Sequence, residues 1–153
     1  VARSWISVFP GRRWGFLMLR QNTVVKIREI AESSRDPRDA LIRAVGPVDE
    51  VLHSQVLIAT YIRPAVTKGG ILLADRTLQE DEFQGSIGLV IGIGPGAFCD
   101  DGIAKFHGVK LKLHDWVLFR PADGLALALR SVPCRLFEDA NIKMRVKNPA
   151  DYW

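Results

Sequence analysis

The side chains in this 153-residue chain best suited to acid–base chemistry near neutral pH are His53, His107 and His114. They are scattered, and His114-Asp115 is the one adjacent His/acid pair. Neighbours on a strand point to opposite faces, whereas a catalytic dyad needs side chains that meet. Glu80-Asp81-Glu82 has the charge to hold a hard cation, but lacks the carbonyl-rich turns such a site uses, and reads as a solvated acidic loop. Cys99 and Cys134 form no disulfide framework and have no metal-ligand spacing, so they read as two free thiols of a reducing compartment. Gly92-Ile93-Gly94-Pro95-Gly96 follows an apolar run, as a dinucleotide-binding turn does. Its spacing is G-x-G-x-G, Pro95 interrupts it, and AFCDDGIAKF has no helical period against which a phosphate could sit. A strand-ending turn accounts for it better. No nucleophile, base and orienter fall together, so an enzyme, a cofactor and a metal site are not expected.

Contact chemistry is better represented. In TKGGILLADR, Gly69 and Gly70 lead directly into Ile71, Leu72 and Leu73 between polar flanks. Exposing three aliphatics in a loop is costly unless they meet a partner. Charge marks a second candidate. Residues 1–45 hold nine Lys/Arg against four acids, residues 46–153 hold twelve against thirteen, and no acid precedes Glu29. Trp5 and Trp14 stand in this segment with Arg12, Arg13 and Arg20. Trp and Arg are typical of interface centres, which favours an assembly arm seated on a neighbouring subunit. Base stacking with phosphate neutralisation, and an organellar transit peptide, are weaker readings, and nucleic acid is not expected as the partner.

Those residues need elements to hold them. The length suits one domain with a sizeable core, and 48% hydrophobic with 25% charged residues places the chain among globular proteins. Its longest uncharged run, Phe83–Cys99, is broken by glycines and Pro95, so no membrane-spanning helix is expected. Trp5–Phe9 and Phe16–Leu19 flank the turn PGRRWG and could pair as a hairpin. Apolar spacing in NTVVKIREIAESS, and Asp36-Pro37 as cap and first helical residue with Gly46 as stop, predict one or two short helices between residues 22 and 45. Beyond Gly46-Pro47 the period shortens. Val56–Tyr61, Ile71–Ala74, Gly85–Ile93, Val109–Leu113, Trp116–Phe119, Leu125–Leu129, Cys134–Phe137 and Ile142–Val146 are short β-rich runs between turn residues, with alternation plain in VKLKLHD. CDDG at 99–102 predicts a tight hairpin turn. The fold class is therefore mainly β, a small barrel or sandwich. The expected organisation is a basic extension over 1–46, a β-barrel over 47–147 and a tail over 148–153.

From Val51 to Val146 the chain resembles the small co-chaperonin (GroES) family. Val51–Ile58 falls where that family has its first strand, and Gly69-Gly70-Ile71-Leu72-Leu73 is similar to its Gly-Gly-Ile-Val-Leu. GSIGLVIGIG at 85–94 resembles the strand G-x-V-x-x-V-G-x-G, and LKLHDWVLF at 111–119 resembles Val-Lys-Val-Gly-Asp-x-Val-Leu-Phe. CRLFEDANI at 134–142 is similar to the segment before the last strand. Ser54-Gln55 stands where the family has Asp-Arg, and His114 stands at its glycine. The resemblance implies an irregular β-barrel assembling into a ring, commonly of seven subunits. It also implies a mobile loop that binds the rim of a large ATP-driven chaperonin. Carried over, Ile71, Leu72 and Leu73 are the contact residues, Gly69 and Gly70 the hinge, and Cys99–Lys105 the hairpin over the ring opening.

Two functions follow as expectations. One is a non-enzymatic co-chaperonin, with a phage among its candidate sources, that forms homo-oligomers and docks on a chaperonin in the cytoplasm. The other is a phage capsid decoration or cement protein that reuses the barrel and latches onto shell subunits through Trp5, Arg12, Arg13, Trp14 and Arg20, which places it in the virion.

Overall fold

The computed structural model describes residue 26 and residues 36–63, 85–100, 102 and 105–152. The expected runs Trp5–Phe9, Phe16–Leu19 and Ile71–Ala74 lie outside these residues, as does most of the expected helical stretch before Asp36.

The helix α1 spans Pro37–Val45. Its capping follows from sequence: the Asp36 side chain accepts the Arg38 N–H at 2.9 Å, Pro37 opens the first turn, and the Gly46 N–H closes the last turn on the Ile42 carbonyl at 3.0 Å. Ala40, Leu41 and Val45 are its buried residues. Among the described residues six strands follow: β1 Gln55–Thr60, β2 Ile87–Ile93, β3 Trp116–Phe119, β4 Leu125–Leu129, β5 Val132–Glu138 and β6 Ile142–Val146. All pairings are antiparallel, in the order β4-β5-β1-β2-β3-β6.

Alternation along β1 sends its side chains into two cores. Leu57 and Ala59 join α1, Leu89, Ile91, Trp116 and Cys134 on one face. Val56 and Ile58 join Val90, Val117, Phe119 and Phe137 on the other. The second face is the inside of a curled sheet. Phe119 on β3 and Phe137 on β5 have two strands between them, which in a flat sheet separates them by about 14 Å. Their ring centroids are 4.6 Å apart, so the sheet curls strongly around this core. The fold is thus the irregular barrel expected, with α1 packed against its convex face. Gly88 makes the curl possible at its tightest point. A Cβ there would come within 2.4 Å of Ile58 Cγ2 and 2.6 Å of the Ala59 carbonyl oxygen. Gly88→Ala is expected to cost about 1–3 kcal/mol in denaturant unfolding.

Two boundaries differ from those expected. β1 begins at Gln55, one residue before the expected Val56, and not at Val51 where the resembled first strand falls, because His53 adopts φ +54° and the Gln55 N–H turns back onto the Leu52 carbonyl. Residues 109–113 are not a strand. Positive φ at His107, Gly108 and His114 bends both ends, and the amides of Val109 and Lys112 bond locally, to the Phe106 carbonyl and the Asp115 carboxylate. Alternation there does not mark a buried face: Val109 and Leu113 are 60% and 55% exposed.

Candidate functional site

The residues expected to make partner contacts, Gly69, Gly70, Ile71, Leu72 and Leu73, lie outside the described residues. So do Trp5, Arg12, Arg13, Trp14 and Arg20 of the basic arm. The described residues do define the frame on which residues 64–84 are mounted. The end of β1 and the start of β2 are paired, with Thr60 opposite Gly88 and the Tyr61 N–H donating to the Ile87 carbonyl at 2.9 Å. The chain therefore leaves and re-enters the barrel side by side. A segment of that length, held at both ends, can reach at most about 35 Å from its base.

The base is rigid for identifiable reasons. Tyr61 is 1% exposed and stands edge-on to Trp116, centroids 5.3 Å apart. Such pairs contribute roughly 0.5–1.5 kcal/mol beyond their burial. Ile62 is 2% exposed in the same cluster. The Ser86 carbonyl accepts the Phe119 N–H at 2.8 Å, which ties the return strand to β3. The Thr60 hydroxyl is buried and has no hydrogen-bond partner among the described residues.

A second constellation positions the 99–105 segment. Gly92–Gly96 ends β2 in a turn, as expected. The Gly94 N–H donates to the Gln55 carbonyl at 2.8 Å and the Gly96 N–H to the His53 carbonyl at 3.0 Å. A Cβ at Gly94 would lie 2.2 Å from the His53 carbonyl oxygen, so only glycine fits. The turn is clasped by Asp139, 8% exposed, whose carboxylate accepts the Phe98 N–H at 2.8 Å and the Ala140 N–H at 2.7 Å. This holds Phe98 at φ +59°, a conformation a bulky residue adopts only when its surroundings impose it. Asp139→Ala is expected to lower stability by about 1–3 kcal/mol in denaturant melts, because it orphans a buried donor. Within the expected CDDG turn, Asp100 accepts the Phe106 N–H at 2.6 Å and Gly102 has φ +90°; Asp101, Ile103 and Ala104 lie outside the described residues.

Among the described residues, those that could do chemistry are not brought together; Glu80, Asp81 and Glu82 lie outside them. All three histidines are exposed turn residues with positive φ. His114 does not pair with Asp115. That carboxylate accepts the Lys112 N–H at 2.9 Å and meets Arg145 Nε at 3.3 Å, and Arg145 also donates to the Lys110 carbonyl at 2.7 Å. Among the described residues no group of three His, Cys, Asp or Glu could hold a metal ion. His114 at φ +69° accounts for the glycine of the resembled pattern, since that conformation costs a side chain roughly 1–2 kcal/mol. His114→Gly should therefore raise stability, by up to about 1 kcal/mol after the added freedom of the unfolded chain. Cys99 is exposed, whereas burial pushes the Cys134 thiol from 9.0 up to about 12. Its neutral form is favoured in the fold, so that contribution is complete below about pH 9 and is lost as pH rises toward 12. At pH 8 a thiol reagent should label Cys99 alone in the native chain and both cysteines in denaturant.

The side chains that support the base of residues 64–84 and the 92–98 turn were not singled out in the sequence. Trp116 carried a visible signal as the aromatic that opens WVLF. Asp139 carried none, because its partner Phe98 is 41 residues away.

Comparison with known proteins adds the family. The family described as chaperonin 10 Kd subunit matches residues 49–144. The chain is 30% identical over 91 residues to the co-chaperonin GroES of Parvibaculum lavamentivorans, covering 60% of this chain and 81% of that one. It is also 30% identical over 91 residues to the co-chaperonin GroES of Maricaulis maris, covering 60% and 90%. With the barrel, the paired loop base and the residues matched all agreeing, the chain belongs to the chaperonin 10 Kd (GroES) family.

Proposed function

We propose that this protein is a non-enzymatic co-chaperonin that assembles as a ring and docks on a large chaperonin through Ile71, Leu72 and Leu73, with Gly69 and Gly70 as the hinge. The observation that carries the reading is the antiparallel pairing of Tyr61 with Ile87, inside the region matched to the family. It sets a long segment bearing an apolar triplet on a rigid base. A triplet mounted this way can enter a groove on a partner while the barrel stays folded. Each copy contributes a modest contact, and a ring of copies makes the contacts act together. Among the described residues β6 ends the sheet, and such an edge could join neighbours in a ring. Cytoplasmic location belongs to the same proposal; among the described residues no helix is long and apolar enough to cross a membrane. The shell-protein reading rests on the arm, and no observation on the described residues favours it.

Functional replacement tests the proposal. With a group I chaperonin, ATP and a client that refolds only inside the closed chamber, the chain should support refolding in place of the resident co-chaperonin. Refolding no better than with chaperonin and ATP alone would count against it.

A further inference from the structure

Among the described residues the sheet ends at β4, and the composition of that strand is unusual for an edge. Residues 125–129 read LALAL, without a charge, a proline or a bulge to discourage pairing. Leu125 is 67% exposed, and Ala126 and Ala128 are exposed beside it. Next to this edge lies a groove of about 320 Å³, lined on its apolar side by Val48, Val51, Leu52, Leu57, Leu129 and Leu136. Leu52 is 55% exposed at its mouth. Asp49 and Glu50 also line it; both are exposed, and neither carries an ion pair among the described residues. The nearby Arg130 is engaged instead by the carbonyls of Val45 and Pro47. Among the described residues, then, the surface is apolar at its floor, carries the Asp49 and Glu50 carboxylates at its rim with the Arg130 guanidinium nearby, and has no strand on its outer side.

The geometry points to one occupant, the N-terminal arm of the same chain, with Trp5–Phe9 lying along β4 and its flanking arginines against Asp49 and Glu50. Three properties match. WISVF is an uncharged, β-rich run of the same length as the five-residue β4. Arg3, Arg12 and Arg13 flank that run in a segment with no acid before Glu29, so its charge complements the rim. The tether is long enough. From Asp36 the helix runs roughly 13 Å to the residues that open the groove, whereas residues 10–35 can span several times that distance. Tethering places the arm at an effective concentration in the millimolar range, which favours its own groove over that of another copy. The arm then converts an aggregation-prone edge into a paired interior strand. This inference does not depend on docking to a chaperonin.

Hydrogen exchange on the full chain and a cross-link test it. In the wild type, the β4 amides should exchange at least about tenfold more slowly than in the Asp49→Lys, Glu50→Lys double variant, with both proteins equally folded by circular dichroism. In a Cys99→Ser background, Trp5→Cys with Leu125→Cys should oxidise to a disulfide within one chain, seen as a monomer on a non-reducing gel. Equal β4 exchange in wild type and double variant overturns the proposal. So does a cross-link that forms only between chains, or one that does not form.

Discussion

Leu72→Asp should cut the affinity of each subunit for a chaperonin by at least about 30-fold, and capture by an assembled ring by far more. On the proposed docking, burying Ile71, Leu72 and Leu73 would contribute on the order of 5 kcal/mol gross per subunit, before the cost of ordering the loop. Removing the middle side chain forfeits roughly 2 kcal/mol of that. A carboxylate in its place adds the cost of desolvating a charge in an apolar groove. Because ring contacts act together, a per-site loss of this size compounds across the copies. The substitution lies between the paired ends of β1 and β2, so the barrel and the ring should persist. Unchanged oligomer mass with lost capture is the expected signature. Capture by the variant equal to wild type would remove the apolar triplet from the account.

Phe137→Ala should destabilise the barrel by about 3–5 kcal/mol, the usual cost of deleting a buried phenyl group. Phe137 is 0% exposed and sits on the concave side, against Phe119 at 4.6 Å. That contact joins strands that are not neighbours in the sheet, so its loss opens the curl as well as leaving a cavity. In a domain of this size each kcal/mol shifts Tm by roughly 2–4 °C, and a fall of about 6–20 °C is expected. Leu113→Ala, in the exposed turn before β3, gives the comparison. Having little burial to lose, it should change barrel stability far less. A fall of 2 °C or less for Phe137→Ala would mean that the two rings do not close the barrel.

Much of this was legible in sequence because it is local. Asp36-Pro37 and Gly46 announce α1, and Trp116–Phe119, Leu125–Leu129 and Ile142–Val146 form strands over the runs that their composition marks. Alternation misled at 109–113, where Lys and aliphatic residues alternate but the backbone turns at His107 and His114. Side-chain period reports a strand only when a neighbouring strand takes up the backbone, and at 109–113 local turns take it up instead. The base of the loop was half legible. The motif order set Gly69–Leu73 between two strands, but the Tyr61–Trp116 contact and the Asp139 clasp join residues far apart in the chain. No window of sequence contains both partners. The histidines show the same limit. Their types suggested chemistry, while their positive φ assigns them to turns.

The central claim, that this chain is a chaperonin lid, is tested most directly by sedimentation of the full chain with a group I chaperonin, with and without nucleotide. The account predicts co-sedimentation only when nucleotide is present, and its loss in Leu72→Asp. Absence of binding under both conditions, or binding that ignores nucleotide and survives the substitution, would contradict it.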